Sequence, residues 1–362
     1  MSLESLFHQV TSPKRSFYLA PMYWILCWVS WAYALVQKIR ARCYARGLMP
    51  SKKLNVPVVS VGNLTLGGTG KTPTVLWLAG VLEKMGRKPA ILSRGYGGEA
   101  QDNINVVSDG KSLLLDPASG GDEPVMLARR LLTVPVLSGR RRHPLGVHAE
   151  QEFGANVMIL DDGYQHLALQ RDLNILLIDH RSPLGNGQVF PAGMLREPYG
   201  DAAHRADAVI VTRSREGEPD LDVKKLLGID RPVMKTRMVP GRLVNLEDGE
   251  AIDWPGFQNK SVAAFCGIAQ PQDFFETLIG AGIEVVVKQE FPDHFDYQGP
   301  YLDELMEAAQ SKGAAAVLTT EKDAVKLEGR TFPLPVWYME MRIEFVEGEE
   351  ELLELIKGLV HG

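Results

Sequence analysis

The sequence predicts an α/β protein built on a parallel sheet with helices on both faces. Three observations carry that expectation. Short runs rich in Val, Ile and Leu alternate with longer helical stretches, the pattern of a sheet covered on both sides. A glycine-rich stretch, "SVGNLTLGGTGKTP" from Ser60 to Pro73, stands between one such run and a helical stripe. A second run, "ANVMILDDG", ends in the acidic pair Asp161–Asp162, at the strand end where open α/β sheets bind ligands.

Composition sets wide bounds. The chain has 362 residues, 45% apolar and 23% charged, which suits a large globular core and two domains. Its formal net charge of −6 argues against a nucleic-acid partner, whose footprint would be basic. Cys27, Cys43 and Cys266 lie far apart with no CxxC pair. That spacing excludes a zinc knuckle and favours a reducing compartment over a disulfide framework.

The chain opens on an unusual segment. From Ser16 to Gln37, "SFYLAPMYWILCWVSWAYALVQ" carries no charge, while Lys14 and Arg15 precede it and Lys38, Arg40, Arg42 and Arg46 follow. Its length is near the ~20 residues that cross a bilayer. Trp24, Trp28, Trp31, Tyr18, Tyr23 and Tyr33 are rings that prefer the headgroup level. A spanning helix, an interfacial helix and a core helix all fit such a segment. The rings, Pro21 and the basic flank favour the interfacial one, and the flank would keep the following domain on the cytoplasmic side.

Next comes "VPVVSVGN", a short buried strand by its β-branched residues. Val75, Leu76, Leu78, Ala79, Val81, Leu82 and Met85 then form a helical stripe that Gly86 ends, with Pro73 suited to its first turn. Strand, glycine-rich turn and helix is the order a nucleotide cradle needs. Gly67, Gly68, Thr69, Gly70, Lys71, Thr72 and Pro73 form that expected cradle. Backbone N–H groups of Gly67, Gly68, Gly70 and Lys71 would face phosphate oxygens, with the helix dipole behind them. Lys71 would bridge the β- and γ-phosphates, and Thr72 would hold Mg²⁺. Asp161 and Asp162 would complete the Mg²⁺ side. The usual G-x-x-x-x-G-K-[ST] pattern has glycine at position 65, where this chain has Thr65. The expected fold is thus a P-loop NTPase-like sheet taking a nucleoside triphosphate and Mg²⁺.

Further strands are expected at "PAILS", "VPVLS", "LNILLID" and "ADAVIVT", before a charged, proline-dotted stretch. After it "SVAAFCGIA", "GIEVVVKQE" and "GAAAVLTT" start a second α/β rhythm. The expected division is a membrane-associated segment over 1–50, a P-loop domain over 51–235, and a smaller α/β domain over 236–362. The loop alone does not separate a kinase from an ATPase or a GTPase. A GTPase needs [NT]KxD to read guanine, and the nearest string, "TTEKD", has the wrong spacing.

Outside the cradle stand "SRGYGG", "GGDEP", "GRRRHP", "DDGYQH", "LREP", "FCGIAQPQDFF", "FPDHFDY" and "TTEKDAVKL". In these motifs and their order the chain resembles the tetraacyldisaccharide 4′-kinases, from about Pro13 to the C-terminus. Thr65 fits, because that family also uses a GNLTxGGTGKTP loop. The resemblance implies ATP-dependent phosphorylation of the 4′-hydroxyl of a tetraacylated diglucosamine 1-phosphate, giving lipid IVA. It places the reaction at the cytoplasmic face of the Gram-negative inner membrane. The implied partners are a membrane-embedded glycolipid and the lipid surface itself.

The resemblance also implies roles. Asp122 in "GGDEP" would accept the hydroxyl proton, and His294 in "PDHF" would be its partner; otherwise Asp122 is an ordinary helix cap and His294 an ordinary loop histidine. Arg196 and Glu197 of "LREP" would contact acceptor or phosphate. From the residues themselves, Ser93, Arg94 and Tyr96 follow a strand end suited to ligand contact, and Glu123 adjoins Asp122. Gln165 and His166 follow the acidic pair. The run Arg140, Arg141, Arg142 offers guanidinium forks for phosphate, with Arg141 among the candidate contacts, and the sequence does not tell which arginine matters. Glu321, Lys322 and Asp323 suit adenine-side or interdomain contacts. The rival class is a membrane-tethered ATPase that loads or moves a partner, which acceptor dependence would distinguish.

Overall fold

The computed structural model describes residues 7, 9–11, 15–95, 98, 104–215, 217, 219–293 and 295–361. Thirteen strands among them form one sheet. The first unit contains β1 (Val58–Asn63), β2 (Pro89–Ser93), β3 (Asn105–Asp109), β4 (Pro135–Ser138), β5 (Val157–Asp161), β6 (Leu173–Asp179), β7 (Ala208–Thr212) and the start of β8 (Val233–Asn245). The second contains β9 (Ala251–Asp253), β10 (Ser261–Cys266), β11 (Glu284–Glu290), β12 (Val317–Thr320) and β13 (Val336–Glu347). Their order is β11-β10-β12-β13-β8-β7-β6-β1-β5-β2-β4-β3, with β9 paired to β8.

From β8 to β4 the pairing is parallel, and β3 closes that edge antiparallel. Strands β10 to β13 are parallel with one another. The two units join where β8 and β13 run antiparallel. The expected boundary at 235/236 falls inside β8, so a single strand carries the chain from one unit to the next.

The apolar runs are continuous because each central strand feeds both faces. Val59, Val61 and Ile159 enter one core cluster, while Val58, Met158 and Leu160 enter the cluster on the other side. Helix Lys71–Lys84 buries Val75, Leu78, Ala79 and Leu82 in the first of these, at the spacing of one helical face. Its Trp77 also meets Phe345 of β13, with ring centroids 4.7 Å apart. The expected division placed all of 236–362 in the smaller domain. The last helix, Glu349–His361, differs: Leu352, Ile356 and Val360 pack in the core of the first unit.

Strand β1 lies between β5 and β6. The chain leaves it toward β2 on one side and later passes it from β5 to β6. This is a topological switch point, where ligand crevices open.

The N-terminal helix, Ala20–Ala45, is long and apolar enough to cross a membrane, the one such helix among the described residues. Pro21 sits in its first turn, where no N–H is missed. The core-helix alternative fails, since Trp24, Trp28 and Trp31 are 65%, 73% and 66% exposed. One side of the helix is tied down. Ser30 Oγ donates to the Val189 carbonyl, Lys38 pairs with Asp201 at 3.3 Å, and Arg40 donates to the Gln165 carbonyl at 3.1 Å.

Candidate active site

The glycine-rich loop leaves β1 and enters helix Lys71–Lys84 through two left-handed glycines, Gly67 at φ 100° and Gly70 at φ 79°. Side chains rarely adopt such angles, so these positions call for glycine. Position 65 does not. Thr65 forms a bridge with Leu195, and Leu66 donates to the Met194 carbonyl at 2.7 Å. The loop is thereby laced to the segment carrying Arg196, which donates from Nε to the Thr65 carbonyl at 3.1 Å.

Asp161 ends β5 and Asp162 turns out of it at φ 51°, a strained angle for a non-glycine residue. Asp162 receives Arg196 at 2.8 Å on one oxygen and Lys71 at 3.6 Å on the other. Burial alone would raise its carboxyl, but Lys71 and Arg196 hold it below the ordinary range. Asp161 is buried and accepts Ser93 Oγ at 3.1 Å, and its other oxygen has no protein partner. Burial, then the carboxylates of Glu123 and Asp162, push it up to about 7. A divalent cation between these groups would reverse that balance. The orphaned buried oxygen fits a metal ligand. Among the described residues no cluster of three or more His, Cys, Asp or Glu could hold a metal by itself. An ion here would share its ligands with a nucleotide and water, the habit of Mg²⁺.

These groups open on a cleft of about 1070 Å³. The loop from Gly67 to Pro73 lines one wall, with Ser93, Arg94, Glu123, Gln165 and Arg196 beside it. The second unit contributes Ile268, Phe274, Met339 and Met341, an apolar wall suited to a flat base. Tyr33, Gln37 and Arg40 of the N-terminal helix line the same cleft. Across its mouth Arg181 grips Asp273 with two bonds of 2.7 and 2.8 Å.

A family model described as tetraacyldisaccharide-1-P 4′-kinase matches residues 22–361. The chain belongs to this family. It is 43% identical over 297 residues to a tetraacyldisaccharide 4′-kinase of Pelobacter propionicus, covering 82% of this chain and 81% of that protein. It is 42% identical over 313 residues to one of Geobacter sulfurreducens, covering 86% of each. Among solved structures it is similar to the "apo" form of LpxK from Aquifex aeolicus in complex with ATP. That match has 34% identity and a TM-score of 0.77, and covers 92% of this chain and 97% of that one.

The 4′-kinase motifs are distributed unevenly around the cleft. Lys71, Asp161, Asp162, Ser93 and Arg196 come together through the contacts above. Gln165 donates to the Asn63 carbonyl at 2.8 Å and to Glu197 at 3.2 Å. Glu197 is buried, pairs with Arg205 and does not line the cleft. Asp122 starts helix Asp122–Arg130, whose N-cap is Gly121 rather than Asp122. Its carboxylate lies 3.1 Å from Lys326 of the second unit. Tyr96 and His294 lie outside the described residues.

The three arginines of the run differ in burial. Arg140 and Arg141 are exposed and do not line the cleft. Arg142 turns inward, 3% exposed, and donates to the Gly139 carbonyl at 3.0 Å. Burial lowers it to about 10, with the charges of Asp161 and Asp162 opposing that shift, so it remains a cation near the acidic pair, although like its two neighbours it does not line the cleft. His166 is pushed down to about 4 by burial and then by Arg142, Arg171, Arg40 and Arg94, so it is neutral at pH 7. Arg40, Arg142 and Arg181 are cations that sequence reasoning did not single out. The GRRRHP string pointed to the region but not to the residue. Arg40 stands out only as part of the basic flank, and Arg181 carries no local pattern.

Proposed function

We propose that this chain, as a member of the 4′-kinase family, transfers the γ-phosphoryl group of ATP to the 4′-hydroxyl of a tetraacylated diglucosamine 1-phosphate. We place the reaction at the cytoplasmic face of an inner membrane. The observation that carries this reading is one shared cleft. Its wall includes both the phosphate cradle and the inner side of a helix whose outer side is bare tryptophan. A nucleotide from water and a lipid from a bilayer can meet there.

In this reading Gly67 to Pro73 wrap the phosphates and Lys71 offsets charge on the transferring group. The Thr72 hydroxyl and the Asp161–Asp162 pair would hold Mg²⁺, which neutralises phosphate charge when bound. Arg196 and Arg142 steady the acidic pair, while Ser93, Arg94, Glu123 and Gln165 face the acceptor. The O4′–H bond gives its proton to Asp122, with His294 as partner. The new O4′–Pγ bond forms as the Pγ–O bond to ADP breaks and ADP leaves with the electron pair. The part of the chain from β10 to β13 closes over the site.

Acceptor dependence tests this reading. ADP release should be slow with ATP and Mg²⁺ alone and rise steeply on adding the tetraacylated disaccharide in mixed micelles. Release at the same rate without lipid would make the chain an ATPase instead.

Two further outcomes follow from the geometry. Arg142→Ala should lose at least about 10-fold more turnover than Arg141→Ala, because Arg142 is a buried cation whose charge acts on the acidic pair while Arg141 is exposed to water. Equal losses in steady-state kinetics would return the role to the exposed arginine. Deleting residues 1–37 should leave a folded, ATP-binding protein that no longer sediments with anionic vesicles and turns over bilayer lipid poorly. Full sedimentation of the truncated protein would assign the attachment to another surface.

A further inference from the structure

The helical turn Glu321–Ala324 and the 3₁₀ turn Val325–Leu327 after it pack on helix Asp122–Arg130. They carry Lys322 and Lys326, one on each turn. Lys322 Nζ lies 2.9 Å from Asp293 Oδ1. Lys326 Nζ donates to the Phe295 carbonyl at 2.9 Å and lies 3.1 Å from Asp122 Oδ2. The two lysines thus hold Asp293 and the Phe295 carbonyl, and Lys326 also reaches the first unit. Beneath them Asp323 is buried and fixes the turn, accepting Tyr297 Oη at 2.7 Å, Thr320 Oγ1 at 2.6 Å and the Gly267 N–H at 3.0 Å.

Exposed lysine–carboxylate pairs contribute little, since water screens them and two long side chains must be ordered. This pair is different. The Lys326 side chain is only 9% exposed and Asp122 16%. Ordering a buried lysine carries a large entropic and desolvation cost, so such a residue persists where its donors are used. An ammonium has three donors, enough for a carboxylate and a carbonyl at once.

We propose that Lys326 is a positioning residue for the phosphoryl transfer. It ties the Asp122 carboxylate of the first unit to the Phe295 carbonyl of the second. Asp122 then takes its working orientation only when the two units are together. The inference rests on Asp122 being the proton acceptor, and the experiment separates the two claims.

The variants are Lys326→Met, Lys326→Arg, Asp122→Ala and the Asp122→Ala, Lys326→Met double, each read by kcat, by KM for ATP and by thermal melting. Lys326→Met should lower kcat on the order of 10-fold with KM for ATP within about 2-fold, as expected for coupled groups in contact. Lys326→Arg should recover most of that loss, since a cation with several donors is restored. In the Asp122→Ala background, Lys326→Met should cost almost nothing more. Normal kcat in Lys326→Met, or an equal loss in the Asp122→Ala background, overturns the proposal. An Arg variant as poor as the Met variant also overturns it. Should Lys326→Met not fold, the Arg variant and the double variant, which leaves no unpaired carboxylate, still decide. Normal turnover in Asp122→Ala would instead sink the proton-acceptor reading on which the inference stands.

Discussion

Lys71→Ala is expected to lower kcat by on the order of 10²-fold or more in a protein that still folds. The lysine starts helix Lys71–Lys84 at the mouth of the cleft, and its ammonium lies 3.6 Å from Asp162. In the transfer reaction charge spreads over the oxygens of the moving phosphoryl group, and protein groups contribute mainly by position and electrostatics. A cation fixed at a helix N-terminus acts on that charge without reorganising. The helix itself is held by Val75, Leu78 and Leu82 in the core, so truncating Lys71 should leave it intact. Asp162 keeps Arg196 as its partner, which limits the damage to the acidic pair. Single-turnover rates at saturating ATP are the measurement. A near-normal rate in the folded variant would remove this loop from the chemistry.

Asp122→Ala is expected to cost about 10²–10⁴ in kcat, the usual range for a positioned base, with KM for ATP little changed. The alternative role for Asp122 was a helix cap. Gly121 occupies that position and Asp122 is the first helical residue, where an acidic side chain also suits the dipole. Its carboxylate is instead directed at Lys326 across the unit boundary. If Asp122 and His294 act as one catalytic group, the Asp122→Ala, His294→Ala double variant should be scarcely worse than the poorer single one. Losses that multiply would mean that the two act independently.

Much of this architecture is legible in the sequence because the buried strands carry plain signals. β2 and β6 coincide with the runs "PAILS" and "LNILLID", and β5 ends on the acidic pair as expected. The two strands that join the units are not legible. β8 contains Pro240 and Gly241, which read as a break, and β13 alternates charges such as Glu340, Arg342 and Glu344 along one face. Their pairing is long-range and antiparallel, so no local pattern announces it. The same limit applies to the site. Loop residues are local and could be read, whereas Arg142 differs from Arg141 only by the side of the chain it faces. Lys326 and Asp122 are far apart in the chain, one in each unit, and only the fold brings them together.

The most direct test of the account is transfer itself. The full-length protein would be incubated with γ-labelled ATP, Mg²⁺ and the tetraacylated diglucosamine 1-phosphate in mixed micelles, and the lipid product analysed for position of the label. The account predicts a doubly phosphorylated lipid labelled at the 4′-oxygen, formed in step with ADP. Label appearing only as inorganic phosphate, with the lipid unchanged, would contradict it.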